Sequence, residues 1–161
     1  MTTLLRFGIA LYSPLKEGEG RHWALVVGRR GDVSFEGKVN VFQIVHTKDG
    51  QGYETFHKEA VLSKSGRYFG IVDLGVLRNV IEDHVLGVIE EQPAGQEGFR
   101  IPDGKRWSCA WWVIRALREL IKEHVPIPGL PASDLELYNR VVGPLSAEMP
   151  NALAPLHIVP F

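Results

Sequence analysis

Residues 109–124, CAWWVIRALRELIKEH, carry the clearest periodic pattern in the chain. Apolar residues recur with the spacing of one helical face, and the charged residues fall largely on the other faces. Ser108 stands where an N-cap residue belongs, and Pro126 follows the end of the stretch. The pattern predicts an amphipathic helix over 109–124 that packs one face against the rest of the protein.

The sequence before this helix is typical of a β-sheet. Residues 4–12 (LLRFGIALY), 22–27 (HWALVV) and 39–46 (VNVFQIVH) read as strands separated by turn-rich segments. Residues 52–58 and 67–74 continue the pattern, so we expect about four to six antiparallel strands. The predicted fold class is therefore α+β, with a curved antiparallel sheet packed against the cysteine-bearing helix.

The remaining segments complete one predicted domain, 1–161. Residues 76–89 (VLRNVIEDHVLGVI) have apolar positions closer to the helical period than to alternation, so we predict a helix there. The core of the domain is expected over about 4–124. Residues 125–161 are predicted to hold a shorter helix and a Pro-rich tail.

Composition and charge limit the classes of partner. The 161 residues are 45% hydrophobic and carry 18 basic against 19 acidic side chains, a net charge of −1. A nucleic-acid partner is not expected, because phosphate binding relies on a basic face. No apolar run approaches the ~20 residues of a membrane span. The first residues lack the basic region of a secretory signal, so we expect a cytoplasmic protein.

Cys109 is the one cysteine in the chain. A single cysteine excludes an internal disulfide and a multi-cysteine zinc ribbon, and it leaves three alternatives: a buried inert thiol, a reactive nucleophile, or one ligand of a mixed metal site. Its place at a helix N-terminus favours the thiolate and a lowered pKa. The same residue begins the apolar stripe of the helix, which is typical of a core residue.

A cysteine nucleophile needs a base, and two histidines are candidates. A hairpin centred near residue 34 pairs His22 with His46, and directly opposed residues share a face of the sheet. A register shift of one residue would turn His46 to the other face and bring Gln43 beside His22 instead. A pair of hydrogen-bonded strand histidines without any chemistry stays open as well.

Five short motifs follow one another along the chain: RFGIALY (6–12), RHWALVVG (21–28), VFQIVHTKDGQGYE (41–54), GIVDLGVL (70–77) and RWSCAWWVIRALREL (106–120). Together they resemble an uncharacterised family of small fungal proteins. Members of that family share a His-Trp-Ala-Leu strand, a histidine that ends the next strand, and a Trp-x-Cys-x-x-Trp-Val helix. The resemblance covers about residues 4–121.

The order His, His, then Cys at a helix N-terminus is also similar to the circularly permuted branch of the NlpC/P60 papain-like superfamily. That branch includes lecithin-retinol-acyltransferase-like and deSUMOylating-peptidase-like proteins. The resemblance implies a papain-like fold with His22 as base, His46 as the orienting residue (Gln43 in the shifted register) and Cys109 as nucleophile. The acyltransferase-like members have Asn-Cys where this chain has Ser108-Cys109, and no anchoring helix follows, which argues against lipid acyl transfer.

The leading expectation is a cysteine-dependent hydrolase or acyltransferase that acts on an amide, isopeptide or ester bond through a thioester. We expect a small-molecule or peptide substrate, no cofactor, and an apolar wall built by Trp23, Trp107 and Trp112, although tryptophans in a small domain are often core residues. One alternative is a non-catalytic protein- or ligand-binding module on the same fold. A less favoured one is a zinc site with two histidines and Cys109 as ligands, for which no HExxH pattern is present.

Overall fold

The computed structural model describes residues 3–14, 19–146 and 158–161. Most of the predicted Pro-rich tail lies outside these residues. Within them the chain is α+β, with these elements in order: β1 Thr3–Tyr12, β2 His22–Val27, β3 Lys38–Phe42, β4 Ile44–His46, β5 Tyr53–Thr55, β6 Lys58–Val61, β7 Tyr68–Val80, α1 Glu82–Glu90, α2 Cys109–Lys122, α3 Asp134–Ser146 and β8 Ile158–Pro160.

The main sheet is mixed rather than wholly antiparallel as predicted. Among the described residues its strand order is β6-β3-β2-β1-β7-β8, and β4 pairs with β5 in a separate two-stranded sheet. Neighbours in the main sheet are antiparallel except β8, which runs parallel to β7. The three helices lie between β7 and β8 in sequence, which gives the long crossover that a parallel pair requires.

The two faces of the sheet are covered differently. Alternation along the central strands sends Phe7 and Leu25 to the face on which α2 packs, where the larger apolar core lies. Ala24 and Val26 face the other side, where Phe35 belongs to a smaller core. Nine of the fourteen residues of α2 are buried, which accounts for its strong amphipathic pattern. Across the described ranges, none of the helices has the length and apolar character to cross a membrane.

The predicted helix over 76–89 is wrong in its first part. Strand β7 continues through Val80, and only α1, Glu82–Glu90, is helical. The pairing of β1 with β7 shifts register at Gly75, which has a φ of 103°. A bulge of this kind breaks the period-two alternation of a strand. The apolar spacing after Gly75 therefore imitates a helical period although the segment is a strand.

The predicted strand over 39–46 is divided at Gln43. Its first part, β3, pairs with β2, and its second part, β4, pairs with β5. The backbone N–H of Gln43 donates to Nδ1 of His57 at 3.1 Å, and its carbonyl oxygen accepts from the N–H of Phe56 at 2.9 Å. These bonds occupy the Gln43 backbone, so the chain leaves the main sheet at this residue.

Candidate active site

Cys109 is the first residue of α2, and its sulfur lies at the edge of β2. Sγ accepts a hydrogen bond from the backbone N–H of Trp23 at 3.4 Å. Because Leu25 pairs with Phe42, the residue opposite Trp23 would be Ile44, but Ile44 pairs with Thr55 in the small sheet. The division of the strand therefore frees the N–H of Trp23, and the cysteine sulfur accepts its hydrogen bond.

The N-terminus of α2 has no side-chain cap. Ser108 occupies the N-cap position with extended backbone, and its carbonyl accepts from the N–H of Trp112, but its hydroxyl makes no capping hydrogen bond. The N–H groups of Cys109 and Ala110 act on the cysteine sulfur instead. A helix start of this kind presents backbone donors to an anion bound beside Cys109.

Burial raises the pKa of the Cys109 thiol above its ordinary value. The backbone N–H groups of Trp23, Ala110 and Cys109 act in the opposite direction, and they do not outweigh the burial. The net direction is opposite to the one expected from the helix position alone, because Cys109 packs against the apolar core that α2 covers. At neutral pH the side chain is therefore a thiol.

His22, the first residue of β2, contacts Gln43. The Nε2 of His22 lies 2.6 Å from the Oε1 of Gln43. An amide oxygen accepts only, so Nε2 donates and Nδ1 of His22 keeps its lone pair. Burial is the main cause that lowers the pKa of His22, and the charges of His46 and Lys58 lower it further, while the bond to Gln43 raises it. His22 is therefore a neutral imidazole at neutral pH.

His46 lies in the same cleft but does not pair with His22. The observed register, in which Leu25 opposes Phe42, differs by one residue from the register that would pair the two histidines. His46 is exposed, pairs with Tyr53 on β5, and stacks on its ring with 4.5 Å between centroids. The structure thus brings Gln43, the alternative third residue, into contact with His22.

His57 contacts the backbone of Gln43, and no sequence pattern singled this histidine out. Its Nδ1 accepts the hydrogen bond of the Gln43 backbone, and its ring packs against Phe42 and Trp112. Burial lowers the pKa of His57, which keeps Nδ1 unprotonated and able to accept.

A cleft of about 370 Å³ opens beside Cys109, His22 and Gln43. This volume falls within the range of small-molecule sites. Tyr12 and Tyr53 add hydroxyl groups to its lining. Burial raises the pKa of Tyr12 to about 12, so this hydroxyl is a neutral hydrogen-bond donor. Neither tyrosine was predicted as a site residue. The signal that could have found them is strand pairing, because Tyr12 pairs with His22 and Tyr53 pairs with His46.

A second cavity of about 360 Å³ lies between α1 and α2. Its lining contains carboxylates such as Asp83 and Glu119 together with His84, and it does not include the cysteine. His84 Nε2 lies 3.2 Å from the backbone oxygen of Glu123. Among its described lining residues this acidic groove contains no thiol or hydroxyl group, whereas the first cleft contains Cys109.

The three tryptophans predicted as a cleft wall lie elsewhere. Trp23 and Trp112 are 2% and 0% exposed and belong to the main core. The indole N–H of Trp112 donates to the carbonyl of Pro93, and that of Trp107 donates to the carbonyl of Ala94. Their packing joins the segment around 93–94 to α2, and none of the three lines the cleft beside Cys109.

The described residues do not form the ligand cluster that the zinc alternative needs. In the described part of the chain no group of three or more His, Cys, Asp or Glu side chains is arranged to hold a metal ion. His22, His46 and Cys109 share a cleft without converging on one point as a zinc site requires.

Comparison with known proteins identifies the family. A model described as "Family of unknown function (DUF6540)" matches residues 9–125, and the chain therefore belongs to this family. The matched region runs from β1 through α2 and includes His22, Gln43 and Cys109, in agreement with the expected membership of an uncharacterised family. No curated protein and no solved structure matches the chain.

Proposed function

We propose that this protein is a papain-like thiol enzyme of the permuted NlpC/P60 type, a hydrolase or acyltransferase that cleaves an amide, isopeptide or ester bond through a thioester on Cys109. The observation that carries the proposal is the 2.6 Å hydrogen bond between His22 and Gln43, in the cleft that also contains the cysteine at the start of α2. Nucleophile, base and orienting group are the three roles of a catalytic triad.

The sulfur and the base are close in the fold. Sγ is 3.4 Å from the backbone nitrogen of Trp23, which is two covalent bonds from the Cα of His22, so Sγ lies within about 6 Å of that atom. Both residues belong to the described part of the chain, and no hydrogen bond joins them there. Nucleophile and base are often further apart before substrate binds.

The first half of the proposed reaction forms the thioester. His22 Nδ1 takes the thiol proton as Sγ attacks the carbonyl carbon, and the carbonyl π-electrons move onto oxygen. The carbon–nitrogen or carbon–oxygen bond to the leaving group then breaks, and the imidazolium gives its proton to that group. Backbone N–H groups at the start of α2 stabilise the oxyanion.

The second half releases the acyl group. Water, an amine or an alcohol attacks the thioester as His22 takes its proton, the carbon–sulfur bond breaks, and the imidazolium returns a proton to sulfur. Gln43 holds His22 so that Nδ1 faces the reaction throughout. The raised pKa of Cys109 and the lowered pKa of His22 fit a neutral thiol and a neutral base, with the proton moving during the attack.

The non-catalytic binding module stays as the second candidate. The raised pKa of the Cys109 thiol favours it, because burial makes the sulfur a weaker nucleophile at neutral pH. An inert thiol would act only as part of the cleft wall.

Trapping of the acyl group separates the two candidates. The protein is incubated with p-nitrophenyl acetate, and the adduct is located by peptide mass spectrometry. The proposal expects acetyl on Cys109 in the parent and its loss in Cys109→Ala, with both proteins folded. An unmodified Cys109 in the folded parent would instead favour the binding module.

A further inference from the structure

Two cations stand on opposite sides of the base in the candidate cleft. Lys58 begins β6, and Arg67 directly precedes β7. The strand order β6-β3-β2-β1-β7 places these elements on either side of β2, the strand that carries His22. Both side chains line the cleft that contains Cys109. A bound substrate would therefore lie between two positive charges.

Neither cation is neutralised within the described residues. The ion pairs there join Arg6 with Asp73, Arg118 with Asp134 and Lys122 with Glu119. Lys58 and Arg67 are exposed, and none of the described carboxylates lies within ion-pair distance of either.

The rest of the lining leaves the positive charge in excess. Glu19 is the carboxylate of the described lining, and Arg21 is a further guanidinium, held over the ring of Phe69 at 3.8 Å. Hydroxyl donors from Tyr12 and Ser13 lie beside Arg67, whose carbonyl accepts from the N–H of Ser13 at 2.8 Å.

We propose that the substrate carries a carboxylate close to the carbonyl that Cys109 attacks, and that Lys58 and Arg67 bind this carboxylate. The inference rests on the proposed function and assigns its substrate class: acidic acyl or peptide compounds rather than neutral ones. A carboxylate in this cleft is attracted by the ammonium ion of Lys58 from one wall and by the guanidinium of Arg67 from the other.

The test uses two alkylating probes that differ only in charge. Iodoacetylglycine carries a carboxylate, and iodoacetylglycinamide is its neutral counterpart. The ratio of their second-order rate constants with Cys109 is compared with the ratio for free glutathione. One exposed ion pair should favour the charged probe over the neutral one about threefold. Two cations should therefore raise the charged-to-neutral rate ratio of Cys109 about tenfold above that of glutathione. The increase should shrink in about 0.5 M salt.

Variants identify the cations responsible. Lys58→Met and Arg67→Met should each lower the ratio by about threefold. Lys64→Met, an exposed lysine outside the lining, is the matched control and should leave it unchanged. A ratio equal to that of glutathione, or equal falls in all three variants, would overturn the carboxylate assignment.

The probes also separate failure of this inference from failure of the proposed function. Alkylation needs only an accessible sulfur and no turnover. A thioester trapped on Cys109 together with equal rates for the two probes would reject the carboxylate alone. An anionic preference without any thioester would reject the thiol enzyme, and with it the assignment of a substrate.

Discussion

Replacement of Gln43 by leucine tests the orienting role of this residue. Gln43 is 6% exposed, and its Oε1 is the acceptor for Nε2 of His22 at 2.6 Å. Leucine has a similar size, removes the acceptor, and keeps the backbone bonds of Gln43 to His57 and Phe56. A half-buried donor left without a partner costs about 1–3 kcal/mol. Without Gln43, holding His22 in its reactive orientation should raise the activation free energy of acylation by this amount, so acylation should slow about 5- to 150-fold.

The assay follows nitrophenolate release from p-nitrophenyl acetate in a single turnover at neutral pH. Gln92→Leu is the matched control, because Gln92 is half-buried and hydrogen-bonded, through Nε2 to the carbonyl of Val88, but lines the acidic groove and not the cleft beside Cys109. Urea unfolding checks that both variants are folded. Rates for the two variants within about twofold of each other would refute the orienting role.

Gln43→Glu extends the same test to pH. The carboxylate still accepts from His22, but it favours the imidazolium and raises the pKa of His22. The base works only when neutral, so the acid limb of the rate profile should move to higher pH. An acid limb at the parent position would contradict a contact between the two side chains.

Alkylation of Cys109 by iodoacetamide should reach half its maximal rate above the ordinary thiol pKa of about 8.5, because burial disfavours the thiolate; a lower midpoint would contradict this. Trp112→Ala should lower the free energy of unfolding by about 3–5 kcal/mol in urea, as for a buried core residue, and a small loss of stability with a large loss of substrate binding would indicate a cleft wall. The buried guanidinium of Arg115 donates hydrogen bonds to the backbone carbonyls of residues 93, 95 and 96. Arg115→Met removes these donors and should therefore speed hydrogen exchange and proteolysis over 93–96, and unchanged protection there would show that these bonds do not hold the segment.

The elements that could be predicted are those whose pattern is local. Strand 22–27 was placed correctly, and the helix from Cys109 ends at Lys122, two residues before the predicted end. The prediction of a helix directly after Gly75 was wrong, because the bulge there depends on the pairing of β7 with β1 and not on the local sequence pattern. The predicted pairing of His22 with His46 was off by one residue, because the turn between β2 and β3 sets the register and its residue pattern does not define its length.

In the candidate site, too, the residues that could be predicted are those with a local sequence signal. Cys109, His22 and Gln43 could be named from residue type and strand parity. Lys58 and Arg67 could not, because they share the cleft only through the order of strands in the folded sheet. The direction of the Cys109 pKa was also beyond sequence reasoning, since the helix N-terminus is local whereas burial is a property of the packed core.

The most direct test of the account is the rate of thioester formation on Cys109 in the parent and in His22→Asn, measured by intact-protein mass spectrometry with p-nitrophenyl acetate. His84→Asn, on the acidic groove, is the control. Loss of a general base typically costs at least about 100-fold, so acylation should fall by that factor in His22→Asn and stay at the parent rate in His84→Asn. Equal acylation rates in the parent and in His22→Asn would contradict the assignment of His22 and Cys109 to one active site.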